Sequence, residues 1–244
     1  MKKLHLAIFA GYYLPYRGGY AESLHGLARR LVEKGHSVTI VTSNSEKKCW
    51  AETMDGVEVV RLRTWHILGK TYPVVLPTWG TFRILRRLAK KRPDVVSTQT
   101  RFFTTSFLGA YFALRYHIPL IHTERGAYHS VVKNPLVDLL SRMIDHTAGT
   151  FVVRVAKRNV GVSLAACDFL KHLWARNIVH IPNGVELLPA VSDEQKLKLK
   201  KRGTQLSVKF KAPLVIDYQG NSDFILEQMM VAIEQSSQFQ EAPM

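Results

Sequence analysis

The chain has 244 residues, 46% hydrophobic and 22% charged, with mean hydropathy near zero. That composition excludes collagenous, low-complexity and disordered chains and leaves room for a core that buries roughly 70% of the unfolded surface. The net charge of +15 is carried by residues 1–190, with 27 Lys/Arg against 12 Asp/Glu, while residues 191–244 hold seven of each, so a basic partner surface belongs to the first three-quarters of the chain.

Leu4 to Ala10 reads as a first strand buried on both faces, stopping at Gly11. A signal peptide is the other reading of this start. The apolar run is short for one, contains His5 and leads into Tyr12-Tyr13-Leu14-Pro15-Tyr16-Arg17, with no small-residue cleavage site. No stretch reaches the ~18 to 20 apolar residues of a spanning helix, so membrane contact is expected to be peripheral. Two cysteines, Cys49 and Cys167, are too few for a disulfide framework and lack the spacing of a zinc site, which fits a reducing compartment.

After the loop Tyr12 to Tyr20, the positions Leu24, Leu27, Ala28, Leu31 and Val32 recur at helical spacing and end at Gly35, a C-cap candidate. Ser37 to Thr42 then reads as a strand, completing a βαβ unit. Val57 to Leu62 is the next strand, followed by an irregular stretch with Trp65, Pro73 and Pro77. A helix is expected over about 81–91, closed by Pro93, then a strand from Val95, a helix over 104–116 and a strand at Pro119 to His122. A helix around Leu136 to Ile144, a strand at Val160 to Ser163, a helix from Ala165 to Ala175 and a strand at Val179 to Ile181 complete the series. This alternation predicts an α/β fold, a doubly wound parallel sheet of Rossmann-like kind, with ligands at the carboxyl ends of the strands. Residues 191–211 are polar and Lys-rich, reading as a linker or exposed helix.

The densest chemical signal lies in Tyr13 to Glu22. The pair Gly18-Gly19 lets main-chain N–H groups approach a ligand, and the start of the following helix adds a positive dipole end, so a diphosphate is favoured there. A plain strand-to-helix turn is the alternative. The pattern is neither the dinucleotide fingerprint nor a P-loop, which argues against a dinucleotide-dependent oxidoreductase.

The Pro15…Gly18-Gly19…Glu22 loop, the segment Glu33-Lys34-Gly35-His36-Ser37-Val38-Thr39, the strand start Pro93-Asp94-Val95-Val96, Val162-Ser163 and Ile181-Pro182-Asn183-Gly184-Val185-Glu186 occur in that order. In this the chain resembles the retaining glycosyltransferases of family 4 over residues 1–190, the N-terminal, acceptor-side domain of the two-domain GT-B architecture. The resemblance implies sugar transfer from a nucleotide-diphosphate donor to a glycan or lipid acceptor with retention, and neither metal nor other cofactor. It places Gly18 and Gly19 beside the donor diphosphate and Asn183-Gly184 at the exit from the domain. The acceptor is then expected at the loops Tyr12 to Tyr20, Thr100 to Phe103 and Thr123 to His129, with Tyr13, Tyr16, Glu22, Thr100, Arg101, Glu124 and His129 as candidate contacts.

Two departures stand out. Arg125 occupies the position where members commonly carry a loop His; Arg cannot act as a base but can clamp a phosphate. Residues 191–244 are expected to be a linker and an incomplete remnant of the donor-binding domain, since one βαβ unit takes about 30 residues. Within that stretch Asn221 stands in place of the family's Arg, and Glu227 and Glu234 are one residue closer than the family's glutamate pair. The competing reading is a non-catalytic binding module, or a split subunit completed by a separate C-terminal, donor-binding chain.

Arg83, Arg86, Arg87, Lys90 and Lys91 fall on one helix face, with Phe82, Leu85, Leu88 and Ala89 on the other. At about 1 kcal/mol per basic residue beside an anionic bilayer, that face suits a cytoplasmic protein held peripherally at the membrane; a solvated helix face is the alternative. Nucleic acid is not expected, because no binding motif accompanies the charge.

Overall fold

The computed structural model describes residues 2–16, 18–45, 50–67, 72–129 and 134–183. In chain order the elements are β1 (His5–Ala10), α1 (Gly19–Glu33), β2 (Ser37–Ser43), β3 (Ala51–Met54), β4 (Val57–Leu62), β5 (Thr64–Ile67), β6 (Tyr72–Val75), α2 (Trp79–Lys90), β7 (Val95–Gln99), α3 (Thr104–Arg115) and β8 (Leu120–Glu124). Then follow α4 (Pro135–Ile144), a π-helical turn (Asp145–Gly149), α5 (Thr150–Val155), β9 (Arg158–Gly161), α6 (Leu164–His172) and β10 (Ile178–His180). Eight strands form one sheet in the order β10-β9-β8-β7-β1-β2-β4-β3, parallel except for β3.

The apolar run of β1 explains its central place. Leu6, Ile8 and Ala10 join one core layer with Leu24, Ala28 and Leu31 of α1, while Ala7 and Phe9 join the other with Leu85 and Leu88 of α2, Ala110, Phe112 and Ala113 of α3, and Val152 of α5. A strand that must satisfy helices on both faces cannot alternate polar and apolar residues. β1 pairs with β2 on one side and β7 on the other, so the crossovers run in opposite directions from it. The crevice between the loops after β1 and β7 is the topological switch point of the sheet.

Gly35 ends α1 as expected. Its φ is +88°, its N–H donates to Val32 O at 2.8 Å and the His36 N–H to Leu31 O at 3.1 Å, the paired bonds of a Schellman cap.

Three parts depart from the sequence expectation. Asp55 and Gly56 both take positive φ, 49° and 77°, giving a hairpin turn that adds the antiparallel edge strand β3. The stretch with Trp65 and Pro73 is a small two-stranded sheet, β5 with β6. The helix expected at 136–144 continues through the π turn and α5 to Val155. The stretch 191–244, including Asn221, Glu227 and Glu234, lies outside the described residues, as do Arg17, Cys49 and Gly184.

Candidate functional site

At the carboxyl edge of the sheet, Gly18 is the N-cap of α1 in extended conformation and, as a glycine, brings no side-chain cap to the helix. Gly19 is exposed, and a Cβ built there meets nothing within 4 Å. Space is therefore open at Gly19, with the positive end of the helix dipole behind it, whereas a Cβ at Gly18 would stand 3.2 Å from the Tyr16 ring.

Arg125, in the loop after β8, leans over this turn. Its guanidinium lies 5.2 Å from the ring centre of Tyr20, Nη1 donates to Asn183 Oδ1 at 2.6 Å and Nη2 to Gln99 Oε1 at 3.4 Å. One side chain thus joins the ends of β7, β8 and β10 to the residue after Gly19.

Aromatic rings wall the same edge. Tyr12 stacks on Tyr16 at 4.5 Å and meets Phe103 edge-on at 5.5 Å; Phe102 lies 4.5 Å from Phe103 and 6.1 Å from Tyr72. Burial first, then neighbouring phenols or carboxylates, pushes the Tyr12 and Tyr72 hydroxyls up to about 12, so both stay protonated donors. Gly11 makes this wall possible: a Cβ there would stand 2.3 Å from the Phe103 ring.

Beneath the mouth is a closed charged network centred on Glu124. Its Oε1 accepts the N–H groups of Arg125 at 3.0 Å and Gly126 at 2.7 Å, and Oε2 accepts that of Arg101 at 3.2 Å. The Arg101 guanidinium bridges Glu124 Oε1 at 3.1 Å and Asp145 Oδ2 at 2.9 Å, donates to Tyr128 O at 3.0 Å and packs 4.0 Å from the Phe169 ring centre. His122 sits between Thr98 Oγ1, 2.9 Å from Nδ1, and Glu124 Oε2, 3.3 Å from Nε2. Burial drives the Glu124 pKa upward, but the bond from His122, the charge of Arg101 and the Gly126 amide outweigh it and hold the carboxyl at about 2. Thr100, at the turn between β7 and this network, has φ of 62°, a left-handed conformation that costs a β-branched residue about 1–3 kcal/mol. Its N–H donates to Thr123 O at 2.8 Å, and the Ser106 hydroxyl holds its carbonyl at 2.8 Å.

The structure sorts the predicted contacts. Gly18, Gly19, Tyr16, Glu22 and Arg125 stand at the accessible mouth. Arg101 and Glu124 are fully buried and hold the loops from below. Tyr13 is also buried, its hydroxyl 2.7 Å from His25 Nδ1, whose Nε2 lies 2.8 Å from Asp55. Thr100 contributes a buried turn, and His129 belongs to a histidine cluster on the far side of Asp145. Sequence reasoning passed over Gln99 as a partner of Arg125, and the aromatic wall; the run Phe102-Phe103 opposite Tyr12 in the first loop was the visible signal for the wall.

On α2, Arg83, Arg86, Arg87 and Lys90 are exposed. Lys91, the C-cap of α2, is exposed too and pairs with Glu58, which lowers the Glu58 pKa against the opposing effect of its burial. Phe82 corrects the expected apolar face: it points outward with Trp79, which is 84% exposed. In α4 no residue is buried, and Leu136, Leu139, Leu140 and Met143 are exposed. Among the described residues no helix is long and apolar enough to cross a membrane.

The family model for Glycosyltransferase Family 4 matches residues 17–187. The chain is 30% identical over 212 residues to an uncharacterised glycosyltransferase of Methanocaldococcus jannaschii, covering 82% of this chain and 53% of that protein. It is 25% identical over 209 residues to the alpha-monoglucosyldiacylglycerol synthase of Streptococcus pneumoniae, covering 82% of this chain and 45% of that protein. The chain thus spans about half the length of the curated relatives it matches. Among solved structures, Anabaena HepE in complex with UDP and glucose superposes with a TM-score of 0.55 at 14% identity, over 83% of this chain and 50% of that one. The catalytic domain of Arabidopsis thaliana starch synthase IV, bound to ADP and acarbose, gives 0.54 at 14%, over 96% and 67%. These two likenesses show the fold, the GT-B N-terminal arrangement.

Proposed function

The chain belongs to glycosyltransferase family 4, and from that premise we propose that residues 1–190 form the acceptor-side half of an enzyme that transfers a sugar from a nucleotide-diphosphate donor with retention of configuration. The observation that carries the reading is the meeting of Arg125 with the start of α1 at the switch point. A guanidinium and helix-end amides together offer both charge and directed N–H donors to phosphate oxygens. In this reading Arg125 binds the diphosphate and neutralises charge on the leaving group, and the Glu124 network fixes the loop that carries it. Nucleotides are the ligands of both structural neighbours, which supports the donor class. The base and ribose are held by a donor-binding half, on the same polypeptide or a separate one.

A lipid acceptor is the finer reading, at the cytoplasmic face of the membrane. The basic face of α2 with Trp79 beside it, the exposed apolar side chains of α4 and the relative named for a diacylglycerol product support it. The test is a screen of UDP-, ADP- and GDP-sugars against lipid and glycan acceptors, with the chain alone and joined to a complete family-4 donor-binding domain, reading the product anomer. Transfer with retention by the joined protein is expected. An inverted product, or none from any donor, contradicts the reading.

A further inference from the structure

His129, His146 and His172 lie 17 and 26 residues apart in sequence, yet each offers a ring nitrogen within 4.8 Å of the other two. They come from three segments: the loop after β8, the π turn, and the last residue of α6. Ring centroids are 5.2 Å apart for His129 and His146, 5.5 Å for His129 and His172, and 5.1 Å for His146 and His172. A π turn in a helix is a common mark of a functional position; here it turns Asp145 inward and leaves His146 exposed.

The second observation is the support behind His129. Its Nδ1 lies 2.8 Å from Asp145 Oδ2, a carboxylate oxygen that Arg101 also holds at 2.9 Å. Beside a carboxylate Nδ1 is the donor, so the neutral ring of His129 keeps its Nε2 lone pair for a cation. The edge of His129 against Phe169, at 4.9 Å and 85°, fixes the ring plane. A carboxylate that orients a histidine is the outer shell that metal-ligating imidazoles use.

We infer that His129, His146 and His172 bind one divalent first-row transition cation, zinc(II) in the first instance, with a fourth position open to water. Three neutral imidazoles suit zinc, nickel and copper, whereas calcium and magnesium take oxygen ligands. Tetrahedral zinc at about 2.05 Å sets its nitrogens about 3.3 Å apart, and the exposed side chains of His146 and His172 supply the short rotations this needs. The ion would tie the loop after β8 to α6, and so brace the segment that carries Arg125. The inference stands on the cluster alone and does not depend on the transfer reaction.

The test uses the tag-free 244-residue chain and cobalt(II) as a spectroscopic probe, followed by displacement with zinc. Saturable binding of one equivalent is expected, with the visible bands of low-coordinate cobalt. Outer-shell losses already weaken metal sites about 10- to 100-fold, so His146→Ala and His172→Ala should each weaken binding at least tenfold. His180→Ala, an exposed histidine on β10, should leave it unchanged. Both cluster variants remove exposed side chains, and circular dichroism verifies that they fold. As a second readout, zinc should raise the thermal midpoint of the parent chain and not of the variants. Absence of saturable binding, or binding that survives both substitutions or falls equally in His180→Ala, overturns the site.

Discussion

Two regions at the carboxyl edge of the same sheet each hold an arginine and use it in opposite ways. The Arg101–Glu124–Asp145 network is closed to solvent, and its charges are spent on each other and on loop amides. The mouth formed by Gly18, Gly19, Tyr20 and Arg125 keeps one guanidinium half-exposed beside a helix start whose N-cap is a glycine. Consecutive residues divide the labour: Glu124 builds the floor and Arg125 reaches the opening. Burial, more than residue type, separates the charge that holds a loop from the charge that meets a ligand.

The largest break in this comparison is Arg101→Ala. It leaves two buried carboxylates without their cation and should destabilise the fold by about 3–5 kcal/mol in urea titration. The network also fixes an acid limit. The folded pKa of Glu124, about 2, lies below its ordinary 4.5, so its contribution is fully present above pH 4.5 and is lost as pH falls toward 2. Glu124→Gln should weaken that acid dependence while lowering stability at neutral pH.

Glycines give a smaller contrast of the same kind, between packed and open positions at the mouth's edge. Gly11→Ala drives a methyl into Phe103 and should cost about 1–3 kcal/mol. Gly19→Ala has open space around it and should shift stability by no more than about 0.5 kcal/mol, while weakening anion binding at the start of α1. Equal effects of the two on stability would erase the distinction between the packed aromatic wall and the open turn beside it.

The doubly wound sheet was legible because β1 is an apolar run, β2 is rich in β-branched residues, β7 opens on Val95-Val96, and the helices keep their period. The hairpin at Asp55-Gly56 carried a turn signal that a search for parallel strands passes over. The π turn has no such signal, and Thr147, Gly149 and Thr150 hid the continuation of the helix to Val155. The double glycine and Arg125 could be placed from sequence by loop position. The inward turn of Arg101, Glu124 and Tyr13 could not, because each pairs with residues distant in the chain: Glu124 and Asp145 with Arg101, and Tyr13 with the His25 that Asp55 holds. Loop position tells which edge a residue occupies; the partner decides whether it faces the ligand.

The central claim, that Arg125 and the start of α1 together take up a diphosphate, is tested most directly by phosphorus NMR of inorganic pyrophosphate titrated with the 244-residue chain at low salt. A saturable shift is predicted that disappears in Arg125→Ala and weakens in Gly19→Ala, yet persists when Arg86 and Arg87 on α2 are replaced by Ala. A shift that survives Arg125→Ala, or that follows the α2 charges instead, would contradict it.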